Sequence, residues 1–188
     1  MSDAWRCFVA VSLGDELRAA LSSSVETWQA RDDLAGLRWS DPASWHLTLA
    51  FLGDIDAASV NEVTGALKTV AAGHQPMTLA TGGLGGFPSA GRARVAWYGV
   101  EDQGNRLRRL ADEVGVAVDL EPDRPFNGHV TLGRARGAAI DLRAWVRGGD
   151  PPDGRLALER IELMRSHVGR GPAHYETLAS VPLGRSAS

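Results

Sequence analysis

The chain has 188 residues, 44% hydrophobic and 23% charged, with a formal net charge of -3 and a sequence pI near 5.9. That length buries the core of one ordinary domain, and the composition excludes a disordered chain and a basic nucleic-acid coat that binds by wholesale counterion release. The single cysteine, Cys7, lies in the apolar stretch WRCFVAVSL, which excludes an intramolecular disulfide and a cysteine-based zinc site.

In chain order, Trp5 to Leu13 reads as a strand, β-branched and aromatic, ending at Gly14. A helix follows from Asp15 and ends before Gly36, with Leu17, Ala20, Leu21, Val25 and Trp28 forming one apolar stripe. Residues 37–40 form a short strand, Asp41-Pro42 a turn, and 46–52 a strand closed by Gly53-Asp54. Residues 57–72 read as a second helix. Strands at 77–81 and 94–100 flank GGLGGFPSAG, which lacks the ending of a phosphate-binding P-loop and reads as a connecting loop. A helix from Asn105 to about Val114, a loop through EPDRPFNG, a strand at His129 and a short helix at 140–146 follow. Strands at 156–166 and 175–183 close the chain. The expected class is α+β with antiparallel links. No apolar stretch approaches the ~20 residues of a membrane span and MSDAWR lacks a basic leader, so a cytoplasmic protein with no membrane partner is expected.

Two short segments carry the chemistry. WHLTLAFLG (45–53) and GHVTLGR (128–134) each head a strand with histidine and, two residues on, threonine. Alternation puts His46 and Thr48 on one face and Leu47, Leu49 and Phe51 on the other; His129 and Thr131 share a face in the same way. One such histidine reads as a satisfied strand residue. Two copies suggest an internal duplication that brings four polar groups to one cleft. Neither motif has a carboxylate near its histidine, so no metal site is expected, and no GxSxG nucleophile is present. Paired imidazoles, each titrating near ~6.5, suit metal-free phosphoryl chemistry, one taking a proton and the other giving one. Threonine hydroxyls would bond the phosphate oxygens, and a strained cyclic phosphodiester fits this equipment.

The paired motifs, with LRWSDPASWHLTLAFLGD, GGLGGFPSAGRARVAWYGV, RPFNGHVTLGRAR and SHVGRGPAHYETL in order along nearly the whole chain, resemble the two-histidine (2H) phosphoesterases. Within them they are most similar to the bacterial and archaeal RNA 2′,3′-cyclic phosphodiesterases, first described as 2′-5′ RNA ligases. The resemblance implies a single domain over 1–188 with two pseudo-symmetric lobes, two antiparallel sheets framing a central groove and helices outside. It implies hydrolysis of RNA 2′,3′-cyclic phosphate ends to a 2′-phosphate, with no cofactor, His46 as proton donor and His129 as proton acceptor. Relatives commonly carry proline before the second histidine, where this chain has Gly128.

Arg134 matches a phosphate-contacting arginine of the family, together with Thr48 and Thr131. Its odd offset from His129 points it to the core face unless the strand bends or bulges at Gly133. Phe126, Trp39 and Tyr175 are candidates for base or ribose contact, with core packing the alternative for Trp39. His74, His167 and His174 read as solvated turn residues. The expected partner is an RNA end, met by a monomer. Competing readings are an RNA-end binding module with little turnover, and 2′-5′ RNA ligation by the reverse reaction.

Overall fold

The computed structural model describes residues 4–120, 125–167 and 174–184. Its elements are β1 (Ala4–Ser12), α1 (Asp15–Gln29), β2 (Leu37–Trp39), β3 (His46–Asp56), α2 (Ser59–Ala72), β4 (Met77–Phe87), β5 (Val95–Val100), α3 (Arg106–Ala117), β6 (His129–Ala135), α4 (Arg143–Gly148), β7 (Gly154–Leu158), β8 (Arg160–His167) and β9 (His174–Pro182). The strands order as β7-β4-β5-β6-β3-β1-β8-β9, with β2 on β6, and the pairings are antiparallel. This is the α+β class expected, built on antiparallel strands.

The sheet narrows at its middle. β3 and β6 pair only at Leu47 and Val130, whereas β1 and β3 pair over nearly their full length. To one side of that link lie β6, β5, β4 and β7, and to the other β3, β1, β8 and β9. Helices cover the back. α2 and α3 lie against β3 and β9, while α1 and α4 lie against β7 and β4. The stripe read from the sequence of α1 is buried through Leu17, Leu21, Val25 and Trp28, and the Trp28 indole donates to the Gly149 carbonyl at 2.6 Å. Beneath the link, Leu47 and Leu132 are fully buried and Val130 is nearly so, joining one apolar core.

Several boundaries differ from the sequence reading. α1 does end before Gly36, at Gln29, but a 3₁₀ turn at Asp32–Leu34 that was not expected lies between them. The glycine-rich segment is mostly strand: β4 runs through Gly82–Gly86 to Phe87. Gly85 and Gly86 serve close packing, since a Cβ on Gly85 would overlap the Trp97 indole of β5 and one on Gly86 would lie 2.7 Å from the Ala93 side chain. The stretch at 156–166 divides at Glu159 into β7, which pairs with β4, and β8, which pairs with β1, so the chain crosses there between the two sides of the sheet. His74 is buried and bonds Glu113 across 2.9 Å rather than facing solvent. His167 bonds Glu176 at 2.8 Å, and the turn VGRGPA lies outside the described residues. No helix among the described residues is long and apolar enough to cross a membrane.

Candidate active site

The Leu47–Val130 pair sets the register at the middle of the sheet. Carried one residue either way, antiparallel pairing sets His46 opposite Thr131 and Thr48 opposite His129. Each histidine thus stands across from the threonine of the other motif, on the face away from the helices. Both threonines are half-buried, and among the described residues neither hydroxyl makes a hydrogen bond.

The two imidazoles are held in the same way. His46 Nδ1 bonds the Ser44 carbonyl at 2.8 Å, and His129 Nδ1 bonds the Asn127 carbonyl at 2.7 Å. A carbonyl only accepts, so each Nδ1 carries the proton and each Nε2 is left to exchange one. Burial pushes His46 below its ordinary pKa, against the Ser44 carbonyl, and the positive charges of His129 and Arg134 lower it further. Burial also lowers His129, against the Asn127 carbonyl, with Arg134 adding to the effect. The rings therefore resist being imidazolium together, which favours states of the pair with one positive charge or none. Gly128 suits its place before His129: its carbonyl accepts from Val100 N–H at 2.9 Å, and a Cβ there would lie 2.9 Å from Leu107.

Aromatic rings wall both histidines. His46 lies 4.8 Å from Phe8 and 5.0 Å from Tyr175, and His129 lies 4.9 Å from Phe87 and 6.2 Å from Trp97. Tyr175 is therefore beside the first histidine. Trp39 packs with Trp28 and Trp145, and Phe126 is partly buried against the core. Sequence reasoning missed Phe8, Phe87 and Trp97, which only the strand pairings bring to the histidines.

Two β-bulges decide what else faces the groove. On β6, Thr131 is opposite Trp97 and Gly133 opposite Ala96, leaving Leu132 as an extra residue. The extra residue reverses the alternation, so Arg134, opposite Val95, returns to the face of Thr131. β3 does the same. Thr48 is opposite Ala10 and Ala50 opposite Val9, so Leu49 is extra and Phe51 comes to the face of Thr48. The expected core position of Phe51 is thus corrected: its side is 67% exposed, 6.1 Å from Phe8. Arg134 and Phe51 occupy the same place, five residues after their histidines.

The LigT-like phosphoesterase model matches residues 11–97. An RNA 2′,3′-cyclic phosphodiesterase of Methanothermobacter thermautotrophicus is 31% identical over 70% of this chain and 72% of its own length. The chain belongs to the LigT-like phosphoesterase family. A namesake from Geobacillus stearothermophilus is 32% identical over 94% of this chain, which spans 56% of that protein's length. Among solved structures, Escherichia coli LigT complexed with 3′-AMP superposes with a TM-score of 0.71 at 27% identity, over 97% of this chain and 100% of that one.

On one face the site gathers two Nε2 atoms, two hydroxyls that make no hydrogen bond among the described residues, and the Arg134 guanidinium. Among the described residues no three His, Cys, Asp or Glu side chains are grouped to hold a metal ion.

Proposed function

We propose that this LigT-like phosphoesterase hydrolyses RNA 2′,3′-cyclic phosphate ends to a 2′-phosphate without a metal ion, through His46 and His129. The observation that carries the reading is the matched pair of Nδ1-anchored imidazoles across the β3–β6 link. The names of the relatives support the substrate class. The whole of residues 1–188 acts as one unit of two pseudo-symmetric lobes.

In the reaction, His129 Nε2 takes a proton from water as its oxygen attacks phosphorus. The P–O3′ bond breaks, and His46 Nε2 gives its proton to the departing ribose oxygen. Thr48, Thr131 and Arg134 donate to the non-bridging oxygens, where negative charge grows in the transition state. The bound phosphate also answers the positive charge of Arg134, restoring the proton that burial makes costly on His46. Phe51 offers an exposed aromatic face to the terminal base, with Tyr175 on the ribose side.

Product analysis on an oligoribonucleotide with a 2′,3′-cyclic phosphate end tests the reading, with 2′-phosphate expected. Alanine at either histidine should cost at least ~10²-fold in kcat. The roles separate with a substrate whose 3′ oxygen is replaced by sulfur, a leaving group that needs no proton. The loss in His46→Ala should then shrink while that in His129→Ala persists. Full activity in both alanine variants, or strict dependence on an added metal, would refute the mechanism. Binding without product would favour an RNA-end binding module, and joining to a 5′-hydroxyl strand would reveal ligation.

A further inference from the structure

The short strand β2 has no counterpart among the described residues on the other side of the β3–β6 link, and it brings one cation to the groove face. β2 takes up the free edge of β6 where β3 has turned away, pairing Leu37 with Ala135, Arg38 with Arg134 and Trp39 with Gly133. Leu37 is buried and Trp39 packs with Trp28 and Trp145, so the side chain between them points to the opposite, exposed face. Arg134 points there too, returned by the bulge at Leu132. The approach is close, for a Cβ on Gly133 would lie 3.0 Å from the Arg38 carbonyl.

Like charges directly opposite on paired strands are destabilising. Both arginines are exposed, and among the described residues neither forms an ion pair. An anion spanning them would relieve the repulsion. Arg134 lies between Val95 of β5 and Arg38 of β2, whereas β2 pairs with β6 alone among the described residues. Arg38 is thus the outer member of the pair, at the margin of the sheet.

We propose that Arg38 binds the first internucleotide phosphate of an RNA strand whose cyclic end lies at His46 and His129, making the groove select strand ends over free cyclic mononucleotides. A 2′,3′-cyclic phosphate closes the 3′ end, so every other phosphate of the strand lies upstream. A planar guanidinium bonds a phosphodiester through two parallel N–H groups. This assignment rests on the proposed function above for which end enters the site.

The test pairs a protein change with a substrate change. Binding of a short oligoribonucleotide with a 2′-phosphate end is measured by fluorescence anisotropy, with its last internucleotide linkage either charged or replaced by an uncharged methylphosphonate. Neutralising the linkage should weaken the wild-type protein about tenfold and Arg38→Gln less than about twofold, a coupling expected of one charged hydrogen-bonded pair. The slope of log affinity against log salt should fall by about 0.7 in Arg38→Gln, the single-strand value for one phosphate contact. Equal weakening in both proteins, or none in the wild type, overturns the proposal. Turnover supplies a second readout. The ratio of kcat/KM on a cyclic-ended oligonucleotide to that on a 2′,3′-cyclic mononucleotide should fall about tenfold in Arg38→Gln, and an unchanged ratio also overturns it. If the wild type turns over neither substrate, the proposed reaction fails while the binding cycle still decides on Arg38.

Discussion

Phe51 and Phe8 face the same side of the sheet as His46, and they should fail in opposite ways when truncated. Phe8 is 3% exposed and packs against His46 and Tyr175, while Phe51 is 67% exposed. Phe8→Ala removes a buried ring, costing about 3–5 kcal/mol. In a chain of this size each kcal/mol moves Tm by about 2–4 °C, so Tm should fall by roughly 10 °C. Phe51→Ala is a surface change worth about 0.5 kcal/mol or less, and Tm should move by no more than about 2 °C. A base stacked on an aromatic ring is worth about 1–3 kcal/mol, and one open platform belongs at the low end, giving about a tenfold loss. The base is stacked before and during the chemical step, so the loss should fall on KM with kcat nearly unchanged. Steady-state kinetics on a cyclic-ended dinucleotide and a thermal melt measure both, and Phe51→Trp should restore KM. If Phe51→Ala keeps the wild-type KM, or lowers Tm as far as Phe8→Ala does, the base platform is wrong.

Two further outcomes follow from the site. Burial and positive neighbours lower both imidazoles, so the limbs of the kcat/KM profile should lie below the ordinary histidine value. A nearby positive charge disfavours imidazolium, so Arg134→Gln, besides slowing turnover about 10²-fold, should move both limbs to higher pH; a shift to lower pH would refute the charge assignment. Gly85→Val drives a side chain into the Trp97 indole, and overpacking of about 1–3 kcal/mol should lower Tm by several degrees and slow turnover through the wall beside His129. A variant with wild-type Tm and turnover would show that Trp97 can move at no cost.

The histidine and threonine pairs were legible because their strands obey simple alternation from His46 to Thr48 and from His129 to Thr131. Alternation then failed at the same point in both copies. Leu49 and Leu132 are bulged residues. Nothing in an apolar run marks which leucine lacks a partner, so Phe51 read as core and Arg134 as misdirected. The bend allowed for at Gly133 was close to the cause, since the extra residue lies just before it. GGLGGFPSAG misled for a different reason. Gly85 removes a side chain so that Trp97 can lie across β4, while Gly83, at positive φ, uses the backbone freedom that also makes glycine a turn residue. The crossing at Glu159 was hidden because no glycine, proline or other turn residue separates β7 from β8, whose partners differ. His74 read as solvated because its cover comes from α3, far along the chain.

The position of β1 bears on how the protein is made. Among the described residues it precedes every other strand in the chain, yet it lies between β3 and β8, and β8 spans Arg160–His167. Until those residues emerge, the β1 segment with Phe8, Val9, Ala10 and Val11 has one unpaired edge, the kind of apolar template that invites pairing with another chain. Pairing so distant in sequence also slows folding. The groove therefore forms late, and chains stalled before β8 are the species from which chaperones and proteases would have most to clear.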